Sequence, residues 1–317
     1  MLKKLVVFAA AIALGASVYG QKVTFRELID DPTPPRAIVY KQVDGKDLTL
    51  FQFPGLDSTT PRPAMVWIHG GGWVGGTAES MFPTCRYFVG RGMVAFSINY
   101  RTLSPEAGKI TDYIADCRDA IAYIRLHAAE LGVDAKRVVV AGDSAGGHLT
   151  ACMAMVNAPS LMPGQAALSR PDVMLVYNPV LNLTEGSWMK VVIGGAALAK
   201  KPASAATRPS EADQALAMAV SPFYQVRAGL PPMLLMHGLK DMVVRDGTVR
   251  AFAAAVADAG NRVELVLLPD DRHAFIIPNY KTPEAQTVAA MRRTDEYLAK
   301  LGYLVGLPTL EVSNPAA

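Results

Sequence analysis

The sequence predicts an α/β fold, a mostly parallel sheet with helices packed on both faces. Three observations carry that prediction. Apolar residues make up 51% of the 317-residue chain, enough to cover a sheet on two sides. Several short runs are apolar almost throughout instead of alternating, as strands buried on both faces are. Stretches of helix length separate those runs, the order expected of parallel strands joined by crossovers. No internal repeat is evident, and Asp31-Pro32-Thr33-Pro34-Pro35 is the one compositionally biased segment.

Taken in order, the first strands are expected over 37–43 and 48–53, followed by Ala64-Met65-Val66-Trp67-Ile68 as a buried strand. A helix over 81–90 leads to a strand over 93–98, and a helix over 112–129 leads to the β-branched run Arg137-Val138-Val139-Val140-Ala141. A helix opens after Ser144, and a strand follows over 173–177. The pattern then breaks. Residues 181–226 hold helical pieces and no evident strand, and an insertion of that length in a compact domain reads as a small cap over a site. Beyond it, Pro232-Met233-Leu234-Leu235-Met236 is a strand, 246–259 a helix, Val263-Glu264-Leu265-Val266-Leu267-Leu268 a strand and 283–301 a closing helix. The domain organisation is thus 1–20 as a leader, 21–305 as the folded domain and 306–317 as a disordered C-terminal tail.

The chemistry is concentrated where strands end. Gly142-Asp143-Ser144-Ala145-Gly146 follows an apolar strand and precedes a helix, so Ser144 sits on a turn too tight for flanking side chains, with its hydroxyl exposed. Upstream, the strand ending at Ile68 runs into His69-Gly70-Gly71-Gly72-Trp73. Successive glycines let a backbone approach a ligand and turn its N–H groups outward, as a developing oxyanion requires; the expected donors are Gly71, Gly72 and Ala145. A serine hydroxyl needs a base and a carboxylate that orients the base. Of five histidines, His69 belongs to the glycine loop, His127 lies in a helical stretch and His148 is one turn beyond Ser144, which leaves His237 and His273. The economical assignment is His273 as base and Asp241 as acid, with Asp246, Asp270 and Asp271 as nearby carboxylates. A metal site from His69, His148, His237 and His273 is not expected, because no H-E-x-x-H or paired-cysteine spacing is present, and no cofactor is required. Trp73, Tyr100 and Trp188 are candidates for the walls of an acyl or alcohol pocket.

The ordered set His69-Gly70-Gly71-Gly72-Trp73, Gly142-Asp143-Ser144-Ala145-Gly146-Gly147, His237-Gly238 with Asp241 and Val244, then His273, resembles the α/β-hydrolase serine esterases of the hormone-sensitive-lipase type. It is also similar to the bacterial acetyl and feruloyl esterase group. Asn99-Tyr100-Arg101, Asp116 and Leu131-Gly132-Val133-Asp134 add weaker matches, and the resemblance covers about residues 36–305. It implies an α/β-hydrolase fold and a carboxylesterase of short acyl esters acting through Ser144, His273 and Asp241, with a small ester or an acylated plant polysaccharide as substrate. The rival readings are a lipase or peptidase on the same fold and a non-catalytic binding protein that keeps it.

Met1-Leu2-Lys3-Lys4, an apolar core over 5–14 and the small-residue exit Val18-Tyr19-Gly20 read as a secretory signal peptide, giving a periplasmic or secreted protein. The chain carries 31 basic and 28 acidic residues; loss of Lys3 and Lys4 with the signal leaves 29 against 28. That balance gives no electrostatic reason to expect nucleic acid or a membrane surface as partner of the mature form. Three cysteines, Cys85, Cys117 and Cys152, are odd in number and sit in apolar helical stretches, which predicts buried free thiols.

Overall fold

Buried β-branched and apolar runs set the frame, in a computed structural model that describes residues 21–53, 55, 60–102, 109–156, 167–189, 209–278, 280 and 282–313. The chain begins with β1 (Val23–Thr24) and α1 (Phe25–Asp30), then β2 (Arg36–Val43), β3 (Lys46–Phe53), β4 (Arg62–Ile68), α2 (Phe82–Gly90) and β5 (Val94–Ile98). It continues through α3 (Ile110–Leu126), α4 (Ala128–Leu131), β6 (Val133–Asp143), α5 (Ala145–Met155) and β7 (Val173–Tyr177). The last third holds α6 (Glu211–Ala219), β8 (Met233–Gly238), α7 (Asp246–Asp258), β9 (Val263–Leu268), α8 (Glu284–Lys300) and β10 (Leu310–Glu311).

Among the described residues, eight strands form one sheet in the order β2-β3-β5-β4-β6-β7-β8-β9. The β2–β3 and β3–β5 pairings are antiparallel and every pairing from β5 to β9 is parallel. With helices on both faces, this is the α/β-hydrolase fold. Period-two alternation along each strand divides the core. Ala64, Val66 and Ile68 of β4 join Val138, Val140, Met174, Val176 and Leu235 against the apolar faces of α3, α5 and α7, including Ile114, Leu149 and Phe252. Met65 and Trp67 point the other way, with Val139, Leu175 and Met236, onto Phe25 of α1, Phe88 of α2 and Met291 of α8. Each fully buried aliphatic or aromatic side chain of this kind contributes about 1.5–3 kcal/mol. The parallel strands run in one direction, so β4, β6, β8 and β9 end along one rim of the sheet, where α/β proteins place their ligands.

Two expectations need correction, and one element was not foreseen. Residues 306–313 are not a free tail. Leu310 and Glu311 pair in parallel with Val23 and Thr24, Arg91 Nη2 donates to the Val305 and Gly306 carbonyls at 3.0 and 3.2 Å, and the Thr309 N–H donates to Tyr87 Oη at 3.2 Å. The N-terminal stretch before the proline segment, left without an element in the sequence reading, forms α1, started by a capping box in which the Thr24 N–H donates to Glu27 Oε2 at 2.7 Å. The helix expected over 112–129 is two, broken at His127.

Other expectations fall partly beyond view. The leader 1–20, residues 190–208 of the segment read as a cap, and 314–317 lie outside the described residues. The described parts of 181–226 comprise turns near Trp188, α6 with a Ser210–Asp213 capping box, and a single 3₁₀ turn Pro222–Gln225. No helix among the described residues is long and apolar enough to cross a membrane. Cys85, Cys117 and Cys152 are buried free thiols.

Candidate active site

The end of β6 presents Ser144 with φ 53° and ψ −118°, a conformation L-residues adopt only when their surroundings enforce it. Its N–H donates to the Tyr177 carbonyl at 2.9 Å and its carbonyl accepts from the His148 N–H at 3.0 Å, so strand β7 and helix α5 hold the turn from both sides. The flanking glycines are required by packing. A Cβ on Gly142 would collide with the Gly146 carbonyl, and one on Gly146 with the Ile68 carbonyl. Helix α5 is thereby pressed onto the end of β4, beside the glycine loop.

His273 lies in the turn after β9. Its Nε2 stands 2.8 Å from Ser144 Oγ and its Nδ1 2.7 Å from Asp241 Oδ2. The carboxylate can only accept, so Nδ1 carries the proton and donates it to Asp241, leaving Nε2 to accept from the serine hydroxyl. Asp241 Oδ1 accepts from the N–H groups of Val243 and Val244 at 2.7 and 2.9 Å. Burial acts to raise the Asp241 pKa, but the hydrogen bonds from His273, Val244 and Val243 outweigh it and hold the carboxyl below the usual carboxylate range. The two loops are laced together: the Leu239 N–H donates to the Leu268 carbonyl and the Lys240 N–H to the Asp271 carbonyl, both at 2.9 Å. A Cβ on Gly238 would strike the Asp271 carbonyl.

The loop after β4 holds N–H groups that the described residues leave unpaired. Gly71 and Gly72 have φ of 110° and 62°, values open to glycine, and their N–H groups donate to no protein acceptor among the described residues. Ala145 is the first residue of α5, so its N–H has no intrahelical acceptor. Two side chains fix this loop from behind. The Gly70 N–H donates to Asp143 Oδ1 at 3.1 Å, and the Tyr100 hydroxyl donates to the His69 carbonyl at 2.9 Å while its ring stacks on His69. Asp143 Oδ2 is buried without a partner; burial pushes this carboxyl up to about 6, against the pull of nearby His273 and the Gly70 N–H.

The sequence-derived site residues therefore separate into groups. Ser144, His273 and Asp241 come together in one hydrogen-bonded line; Ala145 follows Ser144 directly, and Gly71 and Gly72 continue the loop whose His69 and Gly70 pack on Gly146 and Asp143. Tyr100 stands behind the glycine loop, buried and hydrogen bonded there. Trp73 is fully buried, edge-on to both His148 and Trp188. Trp188 borders a cavity of about 350 Å³ with Val180, Val243 and Val244. Three buried histidines donate to backbone carbonyls: His69 Nδ1 to that of Gly70 at 2.7 Å, His148 Nε2 to that of Val220 at 2.8 Å and His237 Nε2 to that of Val244 at 3.1 Å. Burial lowers the pKa of all three, that of His148 to about 4. No cluster of three metal-ligating side chains occurs among the described residues. Asp143, which holds the glycine loop through the Gly70 N–H, is a residue of this site that sequence reasoning left without a role. The signal was present in its place at the end of a buried strand, where a carboxylate needs a partner.

A serine on a strained strand-to-helix turn, with a histidine and an aspartate delivered by later strands of a mainly parallel sheet, defines an α/β-hydrolase. Residues 53–255 match the family described as BD-FAE, and the chain belongs to that family. Esterase LipQ of Mycobacterium tuberculosis is 31% identical over 233 residues, 72% of this chain and 54% of that protein. Carboxylesterase NlhH of the same organism is 29% identical over 269 residues, 73% of each chain. The chain spans about half the length of the first curated relatives it matches. Among solved structures, Thermogutta terrifontis esterase 2 with butyrate bound is 35% identical with a TM-score of 0.73, covering 86% of this chain and 96% of that one. The same esterase phosphonylated by cyclosarin is 36% identical with the same TM-score and coverage.

Proposed function

We propose that this protein is a serine carboxylesterase of short acyl esters. The observation that carries the reading is the unbroken line Ser144 Oγ, His273 Nε2, His273 Nδ1, Asp241 Oδ2, with both contacts below 3 Å. In that reading Ser144 Oγ attacks the ester carbonyl carbon and gives its proton to His273 Nε2. The carbonyl oxygen becomes an oxyanion that accepts from the N–H groups of Gly71, Gly72 and Ala145; each such donor is worth about 10²–10³ in rate. Asp241 keeps the proton on Nδ1 and stabilises the imidazolium. Nε2 then protonates the departing alcohol oxygen as its bond to carbon breaks. A water deprotonated by His273 attacks the acyl-enzyme, and the proton returned to Ser144 closes the cycle.

The finer reading takes acetyl or feruloyl esters of plant polysaccharide as substrates, supported by the BD-FAE match and by a site open at the sheet rim. It also places the protein in the periplasm or outside the cell, supported by the apolar leader over 1–20. The test is hydrolysis of p-nitrophenyl esters from acetate to decanoate, together with release of acetate and ferulate from acetylated xylan and feruloylated arabinoxylan. Highest kcat/KM on the shortest esters is expected. A rate rising toward decanoate would point to a lipase, and a folded protein inactive on all of them to a binding role.

A further inference from the structure

One feature of the site is left unused by hydrolysis as such. A cavity of about 680 Å³ is bounded by His273 itself and by Leu239, Met242, Val243, Tyr280, Lys240 and Arg272. Its wall is mainly apolar and open to solvent: Met242 is 93% exposed, Val243 51%, Tyr280 45% and Leu239 42%. Large apolar side chains grouped in the open mark a binding surface more often than isolated ones do. The group is held in place, because Asp241 Oδ1 receives the Val243 and Val244 N–H groups and the Lys240 N–H is bonded to the Asp271 carbonyl. Of the two cations in the wall, Lys240 is neutralised by Asp270 at 2.6 Å. The ledge therefore flanks the acid and the base of the triad and is tied to Asp241 by its backbone.

Proton bookkeeping says which part of an ester lies there. The leaving oxygen must come within hydrogen-bond reach of His273 Nε2 to be protonated, so the alcohol departs over the loops that carry His273 and Asp241. The glycine loop lies on the other side of Ser144, ending at Trp73, which is fully buried edge-on to His148 and Trp188. From this arrangement we infer that the cavity lined by Leu239, Met242, Val243 and Tyr280 is the leaving-group subsite, and that it selects esters whose alcohol is a ring with an apolar face. Two sources share that chemistry, an arylmethyl alcohol and a pyranose that lays its C–H face on Tyr280 and Met242. The inference rests on the esterase reading and gives it a substrate class defined by the alcohol.

The experiment compares kcat/KM of the full-length protein for methyl acetate, benzyl acetate, monoacetylated methyl β-xylopyranoside and methyl butyrate, and repeats it with Leu239→Ser combined with Met242→Ser. At least one ring ester is expected to exceed methyl acetate about tenfold, and the double variant to lose most of that ratio, while butyrate over acetate stays as it was. The ring that is preferred identifies the source. Equal rates for ring and methyl acetates in an active wild-type protein would overturn the subsite, as would a variant that shifts the butyrate-to-acetate ratio instead. Inactivity of the wild-type protein toward all four esters would overturn the esterase reading itself. Circular dichroism of the double variant checks its fold, and Met242→Ser alone, at the most exposed position, repeats the test with the least disturbance.

Discussion

At the level of single side chains, Asp143 and Asp241 make opposite use of burial. Asp241 receives three hydrogen bonds and stays below the ordinary carboxylate value, so it contributes stability that is present above that value and is lost as pH falls through its lowered pKa. Asp143 receives one, and burial pushes it up to about 6. A folded state that binds a proton more tightly than the unfolded chain loses stability as pH rises through that window. Asp143→Asn keeps the acceptor for the Gly70 N–H and cannot ionise. Its melting temperature relative to wild type is therefore expected to rise between about pH 4 and about pH 7, and a difference that does not change with pH would contradict the raised pKa. Asp241→Asn should lower kcat/KM by about 10⁴-fold through loss of the right histidine tautomer. Asp241→Ala should in addition strand the Val243 and Val244 N–H groups, at about 1–3 kcal/mol in denaturant titration. The residues of the triad were legible in the sequence because each is tied to a local pattern: a serine between glycines after a strand, an aspartate and a histidine in the loops after the next strands. The place of Tyr100 was not. Whether an aromatic at a strand end faces a pocket or the back of a loop depends on how β5 lies against β4, which spacing along the chain does not state.

Elements were read most accurately where a short apolar-rich run is bounded by polar or turn residues. β7 and β9 fall on the expected residues, and β6 extends beyond its apolar centre because Val133 pairs with Arg62 ahead of the main register. α1 was missed although Thr24 and Glu27 have capping-box spacing, since a six-residue helix offers too few positions for helical periodicity. The contact between α5 and β4 is the element-level feature with the sharpest consequence. A Cβ at position 146 meets backbone carbonyls of Ile68 and His69, which cannot rotate away as a side chain could. Gly146→Ala is expected to destabilise the fold by about 1–3 kcal/mol and to displace the Ala145 N–H from the glycine loop. Its signature is a fall in kcat larger than the change in KM, measured at a temperature where the variant is fully folded.

Across the whole molecule, residues 305–309 are fastened by groups far apart in sequence. Arg91 is paired with Asp295 at 2.6 and 3.1 Å, Tyr87 donates to the same carboxylate at 2.6 Å, and Arg91 reaches on to the carbonyls of Val305 and Gly306. Residues 306–313 looked like a tail because chain ends usually fray, and several of their partners, among them Arg91 and Tyr87, lie more than two hundred positions away. Removing one member of a buried pair leaves the other charge uncompensated, so Asp295→Ala should cost about 3–5 kcal/mol. Thermal unfolding should show that loss, and hydrogen exchange should show it first at residues 305–311. The sheet then acts as a rim that holds four loops, after β4, β6, β8 and β9, in one place. Ester cleavage at this site requires Ser144 to be a nucleophile activated by His273. The most direct test is intact-mass and peptide mapping after exposure to diethyl p-nitrophenyl phosphate. One diethylphosphoryl group on the peptide containing Ser144, absent from Ser144→Ala and formed far more slowly in His273→Ala, is the predicted result. A folded wild-type protein that takes up no group, or takes it up at another residue while still cleaving esters, would contradict it.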